Sequence, residues 1–243
     1  MSKLDGKVTL VTGASRGIGK GIGLGLAAEG AKVVLAARDS KALEETAAMI
    51  RAGGGEALPV PTDVTDEVQV DALFSQAMES FGRLDILVNN AGAFDWGKVD
   101  DLSVEAWDHV VAVNLRAPFL CSRQAIRIMK DQGGGRILNI GSISAQRVRP
   151  GSAAYSTTKF GLVGLTQVTA LEGREYGIAC SCLHPGNTFV ERRRDSPNQI
   201  NQEPMMSVEE LSEVAVHMVA LPPHMNILEA IALPLEQEYL GRG

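Results

Sequence analysis

Short apolar runs alternate with longer helical stretches along the whole chain, and that alternation restricts its possible folds more than any other feature. Val8–Thr12 reads as a first strand, followed by a glycine-rich turn and a helix to about Gly30. Val33–Ala37, Leu58–Pro61 and Leu84–Asn89 read as the next strands, with helices at Ser40–Arg51 and Val68–Phe81 between them. A long helix is expected from about Val104 to Lys130, interrupted near Pro118, which lacks the N–H a helix interior needs. Arg136–Gly141 and Ile178–His184 are expected strands flanking a helix over Ala153–Tyr176. Val208–Leu221 should be a helix and Leu228–Leu233 a last strand. Strands and helices in this order predict βαβ units, hence an α/β fold with a doubly wound, mostly parallel sheet and helices on both faces.

The 243 residues, 45% of them hydrophobic, suffice for one such sheet and its core. No repeat, low-complexity tract or Pro/Ser linker divides the chain, so 1–243 is read as one domain. Right-handed crossovers place every strand's C-terminal end on one edge, where ligands of open α/β sheets bind. Gly13, Asp63, Asn89, Ser142 and Pro185 all follow expected strands and fall near that edge.

Other classes fit poorly. The net charge is −6, and the one basic run, Glu191-Arg192-Arg193-Arg194-Asp195, is bracketed by acids, so no nucleic-acid partner is expected. The start has no signal-peptide segment, and no apolar run reaches the ~18 residues of a membrane helix. Three cysteines, Cys121, Cys180 and Cys182, suit a reducing cytoplasm and read as small buried side chains. His109, His184, His217 and His224 lack metal-ligand spacing, so no metal is expected.

Between the first strand and its helix lies Thr12-Gly13-Ala14-Ser15-Arg16-Gly17-Ile18-Gly19. A helix N-terminus offers N–H donors and a favourable dipole to phosphate, and glycines allow close approach. A glycine triplet alone is a weak signal; its place between strand and helix makes it a dinucleotide signal. Gly21, Gly23 and Gly25 run on into the helix, each costing about 0.8–1.0 kcal/mol relative to alanine, so close packing of this helix on the sheet or the cofactor is expected. An acid roughly 20 residues beyond the glycines binds the ribose of NAD, and Asp39 meets that count. However, the second strand's apolar run ends at Ala37, and Arg38 comes next. Arg38 and Arg16 suit a 2′-phosphate, which favours NADP over NAD.

Tyr155 and Lys159 are four residues apart, thirteen after Ser142. At that spacing two side chains share a helix face, and an ammonium beside a phenol favours phenolate. With Ser142 they describe a site for carbonyl/alcohol chemistry. Each has an ordinary alternative: a packed Tyr, a surface Lys, a turn Ser with Ser144 as rival, and a structural amide for Asn114. The joint pattern outweighs these.

The ordered set of Thr12–Gly19, Asp63-Val64, Asn89-Asn90-Ala91-Gly92, Asn114, Ser142, Tyr155-Ser156-Thr157-Thr158-Lys159 and Pro185-Gly186 resembles the short-chain dehydrogenases/reductases from end to end. The resemblance implies a Rossmann-type sheet and a cofactor held by Gly13, Ser15, Arg16, Gly17, Ile18, Gly19 and Arg38. Asp63 and Val64 would hold the adenine, and Asn90, Ala91 and Gly92 the adenosine-ribose side. Pro185, Gly186 and Thr188 would flank the nicotinamide, although Asn187 departs from the aliphatic residue more usual in the family. Ser142 and Tyr155 would polarise the carbonyl, Tyr155 acting as acid and base. Lys159 would bind the nicotinamide ribose, and Asn114 would carry a water chain to Lys159. A homotetramer built through the 104–130 and 153–176 helices is also implied. The Leu221–Glu229 segment with Leu233-Pro234 is similar to the tail of the serine/3-hydroxy acid dehydrogenase branch; the Val-Asp-Gly-Gly ending of 3-oxoacyl-carrier-protein reductases is missing.

Phe94, Trp96, Arg147, Arg149 and a loop over 187–206 are expected on the substrate side. A ketone, aldehyde, 3-oxo acid or hydroxy acid is the expected substrate. The competing reading is a protein that binds NADPH for regulation without turnover.

Overall fold

Both faces of the sheet are covered, and this is why its strands read as unbroken apolar runs. β1 (Val8–Thr12) and β4 (Ile86–Asn89) are buried at every position, as a parallel sheet between two helix layers requires. The computed structural model describes residues 2–190 and 204–239. In it β2 (Lys32–Ala37), β3 (Ala57–Pro61), β5 (Gly135–Ile140), β6 (Ile178–Pro185) and β7 (Glu229–Ala232) join β1 and β4 in one sheet. The order is β3-β2-β1-β4-β5-β6-β7, and every pairing is parallel. Pro59 and Pro61 cannot donate to a ladder and sit in the edge strand β3, where prolines are tolerated.

Helices α1 (Gly17–Ala28), α2 (Ser40–Ala52), α3 (Glu67–Phe81), α4 (Val104–Val111), α5 (Ala117–Asp131), α6 (Ala153–Gly173) and α7 (Val208–Val219) cover the two faces. Alternation along β2 divides the core: Val33 and Leu35 pack with Ile22, Leu26, Leu43 and Leu211, while Val34 and Ala36 pack with Leu73, Leu87 and Leu120.

The helical glycines of α1 are explained by α7. A Cβ at Gly21 would stand 2.0 Å from Val208 Cγ1, and one at Gly25 2.2 Å from Ser212 Oγ. Ser212 Oγ also donates to the Gly21 carbonyl at 3.1 Å. The packing against the sheet expected of these glycines holds only for Gly23, whose Cβ would meet Leu35 at 3.1 Å.

The expected long helix is three segments. A π-helical turn, Ala112–Arg116, separates α4 from α5. The break therefore precedes Pro118 instead of centring on it. Pro118 has no N–H to give the carbonyl four residues back, that of Asn114, and the ladder widens there. Strand limits moved by one or two residues, with β4 starting at Ile86 and β7 spanning four residues.

The strand order turns back on itself beside β1, so β1 and β4 lie side by side with their connections leaving in opposite directions. A crevice opens at their C-terminal ends, the position at which doubly wound sheets take ligands.

Candidate active site

The loop after β1 is tied to the loop after β4. Thr12 Oγ1 accepts from the Asn90 and Ala91 N–H groups, both at 3.0 Å, and Asn90 Nδ2 donates to the Thr12 carbonyl at 2.9 Å. Gly13 is left-handed (φ 65°), and a Cβ there would press on Ala91. A Cβ at Gly19 would stand 2.2 Å from Asn90 Nδ2. These two glycines are thus required by the protein's own packing as well as by any phosphate.

Helix α1 begins at Arg16 with no side-chain cap. By contrast, Asp39, Asp66, Ser103 and Ser207 cap α2, α3, α4 and α7. A helix start left uncapped beside a crevice suits an anion. Asp39 Oδ1 accepts from Ala42 N at 3.1 Å as the cap of α2. Arg38 is exposed after β2, close to Asp63 after β3. Burial alone would raise the Asp63 carboxyl. Two hydrogen bonds from Thr65 and the charge of Arg38 instead hold it below the usual carboxylate range. Val64 is buried in the core.

A cavity of about 560 Å³ lies over the ends of β4, β5 and β6. Arg16, Gly17, Ile18, Asn90 and Gly92 line one side; Ser142, Ser144, Tyr155 and Lys159 line another; Pro185, Gly186, Asn187 and Thr188 line a third. Gly13, Ser15 and Ala91 stand in the loops that frame it, and Gly19 in the first turn of α1. Arg38, Asp63 and Val64 are absent from its walls and occupy the neighbouring part of the same sheet edge.

The Lys159 ammonium is buried (5% exposed) and donates to the Ile140 carbonyl at 2.8 Å. It stands 5.6 Å from the centre of the half-buried Tyr155 ring. Among the described residues none hydrogen-bonds the Tyr155 hydroxyl. Ser142 caps the short turn Ile143–Ala145, its Oγ accepting from Ser144 N at 3.1 Å, which leaves that hydroxyl's proton available. Phe94 meets the Tyr155 ring edge-on at 4.8 Å, and Trp96 lies against Phe94. Both aromatics and Arg149 line the cavity, as expected of substrate-side residues; Arg147 instead lies over the Tyr239 ring.

Asn114 sits in the π-helical turn beneath this floor, 1% exposed. It accepts from Ala93 N at 2.7 Å and donates to the Ala93 carbonyl and to Thr158 Oγ1. It therefore joins the 90–93 loop to α6. The ends of the expected 187–206 loop pair with each other through Asn187, Phe189 and Met206; residues 191–203, including the Arg192–Arg194 run, lie outside the described residues.

Sequence reasoning missed His184, whose ring touches the Ser142 backbone at 2.8 Å. A histidine closing an apolar strand just before Pro185-Gly186 was the available signal. It also missed Asn139, which accepts from Asn89 at 2.8 Å and donates to Thr166 at 2.8 Å beneath the site. The three cysteines are buried as expected, and burial pushes the Cys121 and Cys182 thiols up to about 12, so neither is a nucleophile.

A doubly wound parallel sheet with a glycine loop, and a Ser–Tyr–Lys set over its C-terminal edge, defines a dinucleotide-type oxidoreductase fold. Residues 7–201 match the short chain dehydrogenase family, and the chain belongs to that family. A 3-oxoacyl-[acyl-carrier-protein] reductase from Synechocystis sp. is 39% identical over 207 residues, 85% of this chain and 82% of the relative. The crystal structure of a metagenomic short-chain oxidoreductase in complex with NADP superposes with a TM-score of 0.85 at 33% identity, covering 96% of this chain and 99% of the other. A 3-ketoacyl-(acyl-carrier-protein) reductase from Brucella melitensis complexed with NADH gives a TM-score of 0.86 at 32% identity, covering 94% and 97%. This chain is thus an oxidoreductase of the short-chain family acting on alcohol or ketone groups. Among the described residues no helix is long and apolar enough to cross a membrane.

Proposed function

We propose that the chain transfers hydride between NADP(H) and a small carbonyl or alcohol substrate, with Tyr155 as acid and base. One observation carries the reading: Tyr155, Ser142 and a buried Lys159 share one wall of the crevice cavity. When bound, the nicotinamide supplies the hydride. Ser142 and Tyr155 donate hydrogen bonds to the substrate oxygen and stabilise the charge that develops there. Tyr155 gives its proton in reduction and takes one in oxidation. Lys159 is held on the Ile140 carbonyl with its ammonium 5.6 Å from the centre of the Tyr155 ring. Asn114 fixes the 90–93 loop against α6.

The α2 cap accounts for the Asp39 carboxylate without a ribose, which weakens the argument for NAD. Arg38 and Arg16 are exposed at the edge where a 2′-phosphate would lie. The NADP-bound neighbour supports this preference, whereas the NADH-bound one shows that the fold takes both. The Synechocystis relative adds 3-oxoacyl thioesters to the candidate substrates. Exposed Trp107, Phe119, Phe160 and Leu171 on α4, α5 and α6 support the expected tetramer through these helices.

The test is a fluorescence titration with NADPH and NADH, followed by turnover on ketones, aldehydes, 3-oxo acids and 3-oxoacyl thioesters. Turnover is expected with NADPH, and Tyr155→Phe should abolish it while preserving NADPH binding. Tight NADPH binding with no turnover on any of these classes would favour the regulatory reading. Wild-type rates in Tyr155→Phe would rule out the acid–base assignment.

A further inference from the structure

We infer that His184 is a positioning residue of this site: backed by Glu229 of β7, it fixes the Gly141–Ser142 segment and thereby the Ser142 hydroxyl. The inference rests on the oxidoreductase reading above. His184 is the penultimate residue of β6 and is fully buried. The β5–β6 ladder ends where Gly141 N donates to the Leu183 carbonyl at 2.7 Å. The next backbone N–H and carbonyl, both of Ser142, would be left in the interior without that ladder, and unpaired buried peptide groups are costly. His184 reaches both through one nitrogen, Nδ1 lying 3.2 Å from Ser142 N and 2.8 Å from its carbonyl oxygen, and it bonds one or the other according to its tautomer.

The ring reaches this peptide because residue 141 is glycine. A Cβ there would stand 2.5 Å from His184 Nδ1 and 2.7 Å from Cε1. One residue earlier, the Ile140 carbonyl holds the Lys159 ammonium. A single imidazole thus braces the turn from which Ser142 projects and Lys159 is anchored. On its far side, Nε2 lies 3.1 Å from Glu229 Oε1, off the line of an aligned hydrogen bond. Glu229 is itself held by Gln146 at 2.8 Å, and Gln146 accepts from the Tyr239 hydroxyl.

Burial pushes the His184 pKa below the ordinary histidine value, which keeps the ring neutral near pH 7. With its proton on Nδ1 the ring donates to the Ser142 carbonyl at 2.8 Å. With its proton on Nε2, facing Glu229, Nδ1 accepts from Ser142 N–H at 3.2 Å. Either tautomer makes one bond to the Ser142 peptide. This contact orients the peptide and touches neither substrate nor cofactor, so the expected effect is on rate more than on binding.

The test compares His184→Phe, which keeps a ring and removes both nitrogens, with His184→Asn, which keeps a polar group near Nδ1. In His184→Phe kcat should fall about ten- to a hundredfold, the scale of a misplaced catalytic group. KM and the NADPH Kd should stay within about threefold, and His184→Asn should recover part of kcat. In the cofactor-free protein, the Ser142 amide resonance should move in His184→Phe and less in His184→Asn. Unchanged kcat together with an unmoved Ser142 amide in His184→Phe overturns the inference. If the wild type turns over no carbonyl, the oxidoreductase reading fails; the Ser142 amide then decides, its movement supporting the bracing contact and its constancy overturning it. Should His184→Phe not fold, Glu229→Gln takes its place: a shifted Ser142 amide supports the inference, and an unmoved one overturns it.

Discussion

Replacing Gly21 with alanine tests whether the α1–α7 contact forbids a methyl group. The added Cβ would lie 2.0 Å from Val208 Cγ1, whereas carbon atoms attract at about 3.5–4.0 Å. One helix must therefore move by roughly 1.5 Å, or Val208 must leave its favoured rotamer, which a β-branched residue in a helix resists. Such crowding costs about 1–3 kcal/mol, while alanine returns about 1 kcal/mol of helix propensity. A net loss of about 1 kcal/mol is expected, or roughly 2–4 °C in Tm for a chain of this size. Gly23→Ala is the internal control. Its Cβ meets only the flexible end of Leu35 at 3.1 Å, so it should be neutral or up to about 1 kcal/mol stabilising. Urea denaturation at fixed protein concentration reads both, and the pair Gly21→Ala with Val208→Ala should recover most of the loss through coupling. If Gly21→Ala proves as stable as Gly23→Ala, the steric account of this glycine run is wrong.

Arg38→Ala should weaken NADPH about tenfold or more, the scale of a lost charge-assisted hydrogen bond, and leave NADH nearly unchanged; equal losses in titrations of both would overturn the NADP assignment. Asp39→Ala should cost about 0.5–2 kcal/mol through the lost α2 cap without altering the NADPH/NADH ratio; a changed ratio would return Asp39 to the ribose. Asp85 gives a pH prediction. Burial would raise its carboxyl, but Arg83, Val8 N–H and Lys7 together hold it below the usual range. Its stabilisation is therefore complete above the unfolded-state value near ~3.9 and is lost as pH falls through the lower folded value. Asp85→Asn should flatten the fall in urea midpoint below about pH 4, and an unchanged acid limb would remove Asp85 from the account.

The fold was legible because a sheet buried on both faces forces apolar runs, and turns rich in Gly, Asn and Asp punctuate them. Val33 to Ala36 could be assigned to a strand from sequence, but which neighbours each residue met depended on the division into two cores. The π-helical turn was less visible. Pro118 announces a missing donor, yet the response is spread over the preceding five residues, where Asn114 is set beneath the cavity. The meaning of Gly21 and Gly25 lay beyond any local window, since their partners in α7 are nearly two hundred residues away.

For the site, the legible part was whatever one helix or one turn brings together: the glycine loop, and Tyr155 with Lys159. What escaped was set by pairing between distant strands. His184 reads locally as an ordinary strand residue; only the register of β6 beside β5, with Ile140 opposite Leu183, brings its ring onto the Ser142 peptide. Asp39 shows the converse. A carboxylate at a strand–helix junction satisfies the spacing of a ribose ligand and the chemistry of a helix cap equally well. The position of α2 shows the cap in use, because Asp39 lies one residue before the helix and its Oδ1 is 3.1 Å from Ala42 N. With a carboxylate in use at the helix start, the proposed preference for NADP rests on the cation beside it, Arg38, which is why the paired titrations of Arg38→Ala and Asp39→Ala carry the test.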